Sequence, residues 1–122
     1  MYIIMVETEF RASHGLRLGD GCREETHQHC WKVRAAVSCP QLNQIQMGMD
    51  FRDIRVLLEE IAGSLAERPL ERHEAFAPGN ATTERLAKFF YDRLVPKLPP
   101  AGKLAWIEIT EAPGYAVRYR QD

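Results

Sequence analysis

HQHCWKVRAAVS, His27 to Ser38, alternates without a break. His27, His29, Trp31, Val33, Ala35 and Val37 fall on one face. Gln28, Cys30, Lys32, Arg34, Ala36 and Ser38 fall on the other. A period of two is that of a half-buried strand. The same period runs through residues 2–13, where Ile4, Val6, Thr8, Phe10 and Ala12 share a face opposite Glu7, Glu9, Arg11 and Ser13. The loop HGLRLGDG follows that strand.

Downstream the period becomes helical. In DFRDIRVLLEEIAGSL, Phe51, Ile54, Leu57, Leu58, Ile61 and Leu65 recur at helix spacing behind Asp50, a residue suited to the N-cap. TTERLAKFFYDRLV reads as a second helix, capped by Thr82 or Thr83 and stopped before Pro96. KLAWIEITE and YAVRYR alternate again and should form a hairpin across APG. Strand, strand, helix, helix, strand, strand predicts an α+β fold with an antiparallel four-stranded sheet. APGNA and KLPPAG punctuate a single domain, residues 1–122, rather than divide it. So thin a sheet leaves outer edges open to pairing with copies of itself.

Composition narrows the function classes. A hydrophobic fraction of 45% with 27% charged residues is that of a soluble globular protein. The net charge of −1 gives no bulk attraction to nucleic acid or to an anionic membrane. No apolar run is long enough to span a bilayer, and MYIIMVETEF lacks the basic start of a signal peptide. Three cysteines, Cys22, Cys30 and Cys39, suit free thiols in a reducing, cytoplasmic setting better than a disulfide framework.

The histidines carry the chemistry. His27 and His29 project from one strand in the same direction. His14 continues the apolar face of the preceding strand, two beyond Ala12. If those strands pair as a hairpin, the imidazoles can converge at one end of the sheet. Three imidazoles with a vacant fourth position is the donor set of a catalytic zinc site. The pattern alone leaves both readings open: a metal centre, or core histidines with satisfied hydrogen bonds.

These features occur in a recognisable order. Phe10 to His14 reads F-x-A-x-H, Cys22 precedes His27-x-His29, Asp50-Phe51 opens one helix and Thr82 to Glu84 the next. Glu111 then ends a strand, with Tyr119 beyond it. The chain resembles the 6-pyruvoyltetrahydropterin synthase / 6-carboxytetrahydropterin synthase family. The resemblance implies a T-fold, two antiparallel hairpins with two helices on one face. It implies subunits joined into a trimeric β-barrel that stacks to a homohexamer. It also implies Zn2+ on His14, His27 and His29 and a pterin bound between subunits. Members act on 7,8-dihydroneopterin triphosphate. One branch eliminates triphosphate to give 6-pyruvoyltetrahydropterin, and another gives 6-carboxytetrahydropterin for queuosine synthesis.

Individual residues then take expected roles. Glu111 is in phase with Ile107 and Ile109, so its carboxylate ends a buried face and needs a partner. Adjacent N–H donors of a pterin ring would supply one. Thr82 and Thr83 are candidates for further contacts, with helix capping as the alternative. Cys22 matches the family's acid–base thiol. The family's LDHxxLN, whose Asp-His pair completes a proton relay, corresponds here to LAERPLE, Leu65 to Glu71. Ala66 and Glu67 stand in place of that pair, so Glu67 or nearby His73 would have to supply the base. Arg11, Arg17, Arg23 and Lys32 are the cations nearest the site in sequence for a triphosphate. Two functions follow: a zinc-dependent pterin lyase, or a pterin-binding homologue that has lost or changed the reaction.

Overall fold

A computed structural model describes all 122 residues. The strands are β1 (Tyr2–His14), β2 (His27–Cys39), β3 (Lys103–Ala112) and β4 (Tyr115–Tyr119), and the helices are α1 (Phe51–Gly63) and α2 (Thr83–Leu94). The sheet order is β1-β2-β3-β4, every pair antiparallel. Short 3-10 turns occupy Leu70–Arg72 and Val95–Lys97.

Alternation sets which sheet face is buried. Val6, Phe10, Ala12, Trp31, Val33, Ala35, Val37, Ile107 and Ile109 form one core with the apolar sides of both helices. Trp31 is wholly buried, and its indole N–H donates to the Ala12 carbonyl at 3.1 Å, so the only polar atom of that side chain is satisfied. α1 starts at the Asp50 cap, whose carboxylate accepts the Arg52 N–H, and buries Ile54, Leu58, Ile61 and Ala62. Phe51, expected in that apolar stripe, is 61% exposed; the buried stripe begins one turn later, at Ile54. α2 packs Phe90 on Phe10, ring centroids 5.8 Å apart, and Tyr91 on Tyr119 at 5.2 Å. No helix is long and apolar enough to cross a membrane.

Two irregularities bear on the site. Beyond α1 the chain crosses to the outer edge of β1, where the Glu67 N–H donates to the Arg11 carbonyl at 2.7 Å and Pro69 bridges Ser13 in parallel. This segment covers the His14 end of that edge. Glu67 takes a left-handed φ of 63° to make the crossing, a costly conformation for a residue with a Cβ. The second irregularity is a register shift between Thr110 and Ala112, which leaves Glu111 as the extra residue of a β-bulge.

Candidate functional site

The β1–β2 register pairs His14 with His27 and Ala12 with His29. Period-two geometry then sends all three imidazoles to the core-side face at the end of the hairpin. Ring centroids lie 4.6 Å apart for His14–His27, 4.5 Å for His27–His29 and 5.4 Å for His14–His29. One nitrogen from each ring lies within 4.8 Å of the others.

Backbone carbonyls orient two of these rings. His14 Nδ1 donates to the Ala81 carbonyl at 2.9 Å, and His27 Nδ1 to the Glu25 carbonyl at 3.0 Å. Those bonds assign each proton to Nδ1 and leave a bare Nε2 lone pair, the arrangement that holds a metal-ligating histidine in its tautomer. Nε2 of His14 and Nε2 of His29 are buried without any hydrogen-bond partner. Buried imidazole nitrogens normally find a partner, so two orphans facing a third ring fit a divalent cation of the zinc type. Burial is the first cause that holds His29 below its usual pKa; Glu111 and Glu24 pull it upward, while His27 and His14 push it down.

Glu111 reaches this cluster from β3. Its Oε1 is 3.3 Å from His14 Nε2, close but outside hydrogen-bond geometry, and accepts the Thr83 hydroxyl at 3.1 Å. His14 is 1% exposed and Glu111 28%, so the imidazole is sealed while the carboxylate still faces an opening. A groove of about 290 Å³ lined by Thr83, Glu84, Glu111, Tyr115 and Val117 leads to it. The threonines divide their work: the Thr82 hydroxyl caps α2 by accepting the Arg85 N–H, and Thr83 turns to Glu111.

The other sequence candidates lie further out. Cys22 is exposed in a tight turn, its N–H on the Asp20 carboxylate, and its free thiol makes no hydrogen bond to a histidine of the cluster. Glu67 is exposed beside the β1 edge, in a cleft it shares with Arg11, Cys30 and Glu59. His73 packs edge-on against Phe89 at 5.5 Å and takes the Ala75 N–H on Nδ1. Neither contacts the three histidines. Sequence reasoning overlooked Glu24. It is half-buried, exchanges backbone and side-chain hydrogen bonds with Leu16, and lies close enough to His29 to bias its protonation. The signal available was its place three residues before His27. It overlooked Glu71 too, whose carboxylate accepts the Gly15 N–H next to His14.

The 6-pyruvoyl tetrahydropterin synthase profile matches residues 3–122. The chain belongs to that family. Solved structures agree on the fold of this synthase-family protein. A Caenorhabditis elegans 6-pyruvoyl tetrahydropterin synthase superposes with a TM-score of 0.81 at 17% identity, covering 100% of this chain and 98% of that one. The Plasmodium falciparum enzyme gives 0.79 at 14% identity over 98% and 97%. A Plasmodium vivax synthase altered at a glutamate described as its catalytic residue gives 0.75 at 12% identity over 99% and 98%. No curated protein matches in sequence.

Proposed function

We propose that this protein is a zinc-dependent lyase acting on 7,8-dihydroneopterin triphosphate or a close analogue, in a cytoplasmic setting. The observation that carries the reading is the buried His14–His27–His29 cluster with two orphaned Nε2 atoms and Glu111 beside it. His14, His27 and His29 would hold the zinc. Bound there, the metal supplies Lewis acidity toward oxygens of the substrate's side chain.

The chain's own residues do the rest. Glu111, aimed by its bulge and steadied by Thr83, accepts paired N–H donors from the pterin ring and fixes its orientation. A base must then move protons at the side-chain carbons. Cys22 is the thiol the family resemblance assigns, and Glu24 is the carboxylate the fold brings toward His29. A glutamate described as catalytic in the Plasmodium vivax structure supports weighing Glu24 beside Cys22. Glu67 and His73 remain candidates for the second relay group, and Glu67, on the β1 edge, would reach a site only across a subunit boundary. A homohexamer of two stacked trimeric barrels supplies such boundaries, with the pterin between subunits.

The test is turnover by zinc-loaded protein, followed by chromatography for 6-pyruvoyl- or 6-carboxytetrahydropterin. Either product supports the lyase. Tight pterin binding without product identifies instead a binding homologue, the reading favoured by Ala66-Glu67 at the usual Asp-His position.

A further inference from the structure

The loop between β1 and β2 continues their ladder. Leu18 N–H donates to the Cys22 carbonyl at 2.7 Å, and Glu24 N–H to the Leu16 carbonyl at 2.8 Å. Between those bonds Arg17 and Arg23 form an antiparallel bridge. They are therefore a non-hydrogen-bonded pair, the kind in which Cα atoms approach to about 4.5 Å and side chains lie closest. Asn80 clamps the position: its carbonyl accepts the Arg17 N–H at 2.7 Å, and its amide donates to the Arg17 carbonyl at 2.8 Å.

Like charges directly opposite each other destabilise a ladder. Neither guanidinium has a carboxylate within ion-pair distance, whereas Arg34, Arg52, Arg55 and Arg118 each have one. Both arginines line one cleft of about 390 Å³, which also includes Gly15, the residue after His14. A Cβ added at Gly19 on the cleft wall would meet nothing within 4 Å, so the space is open. Glu71 also lines the cleft, and its carboxylate is engaged by the Gly15 N–H. Of the four cations nearest in sequence, only these two reach this cleft. Arg11 and Lys32 project from the opposite face of the sheet, out of phase with the histidines.

We infer that the Arg17–Arg23 pair is a phosphate subsite that holds a polyphosphate chain next to the histidine cluster. An anion between the guanidiniums turns their repulsion into two charge-assisted, fork-shaped contacts. The identity of the anion, the substrate's own tail, rests on the proposed reaction; the existence of the subsite does not.

The probe is inorganic tripolyphosphate, titrated calorimetrically and by thermal shift at constant ionic strength. Wild-type protein binds it and melts higher in its presence. Arg17→Gln or Arg23→Gln weakens binding by on the order of tenfold each, and the double variant loses the thermal shift. Without anion, either single variant melts at or above the wild-type temperature, because the repulsion is relieved. Arg11→Gln leaves tripolyphosphate affinity unchanged. Absence of a wild-type thermal shift overturns the subsite whatever the variants do. Turnover whose KM the double variant does not raise also overturns it, and leaves the lyase standing. Tripolyphosphate binding lost on substitution, in a protein that turns over no pterin, supports the subsite and counts against the lyase.

Discussion

Each histidine of the cluster is held by a different constraint, so each substitution should fail differently. His14→Ala removes a ring that is 1% exposed and leaves the Ala81 carbonyl without its donor, so it should cost both metal and stability. The stability loss should be about 1–3 kcal/mol from the unpaired carbonyl alone. His27→Ala, in a less buried position, should cost metal with a smaller change in melting temperature. Elemental analysis after zinc loading, beside urea melts, separates the two effects. Retained zinc in either variant removes that residue from the ligand set. Glu111→Gln keeps the shape but loses the charge, and should weaken pterin binding by on the order of tenfold or more, measured by fluorescence titration. The histidines were legible because period two fixes parity: once His14, His27 and His29 fall in phase with Ala12 and Trp31, a hairpin can bring them together, and the β1–β2 register does so. Glu24 lies in the loop before β2, where no period assigns direction. Thr82 and Thr83 were indistinguishable because both suit a helix start, and only the fold shows which hydroxyl is used up by the cap.

Elements start and stop where local chemistry says they should, and two sites test this. The Arg52 side chain and its backbone N–H hold the Asp50 carboxyl down at about 2. A depressed folded-state value means the cap's ionic contribution is complete above the unfolded value of 3.8 and is lost as pH falls toward 2. Asp50→Ala should therefore melt below wild type at neutral pH, with the gap closing between pH 4 and 2. Asp50→Asn, which caps without charge, should show a flatter profile. Thermal melts across that range check both; a gap that persists unchanged at pH 2 refutes the ionic part. Gly102, just before β3, is a packing requirement. A Cβ there would meet Val37 Cγ1 at 2.5 Å and Met49 Sδ at 2.6 Å, so Gly102→Ala should destabilise by about 1–3 kcal/mol in urea unfolding. All six regular elements were readable from periodicity and caps. The bulge at Glu111 and the crossing of residues 65–69 over the β1 edge were not, because irregular backbone leaves no repeat in the sequence. These unreadable pieces aim the carboxylate and close one end of the sheet.

Across the whole molecule, the sheet face turned away from the helices carries a row of alternating charge. Glu7, Arg34, Glu108 and Arg118 occupy successive register positions from β1 to β4. Arg34 lies 3.2 Å from Glu7 and 3.9 Å from Glu108, and Arg118 lies 2.9 Å from Glu108. The row ends acidic on β1, where Glu9 shares the face of Glu7, and basic on β4 at Arg118, with Arg120 just beyond the end of that strand. Residues before Arg11 leave the β1 edge uncovered, and β4 pairs only with β3. A rotated copy would bring its β1 antiparallel to β4, continuing both the ladder and the alternation of charge. Each exposed pair contributes only about 0–1 kcal/mol, so in such an assembly the charges would select register and partner edge, while backbone bonds across the seam would supply most of the affinity. Reversing one end, as Glu7→Arg with Glu9→Arg, or Arg118→Glu with Arg120→Glu, sets like charges across every seam. Either double variant should run as a smaller species than wild type in light-scattering chromatography, and the shift should lessen at high salt as the repulsion is screened. Lys97→Glu, on the helical layer, should leave the assembly intact. Wild-type assembly through both reversals would place the subunit contact somewhere other than these two edges.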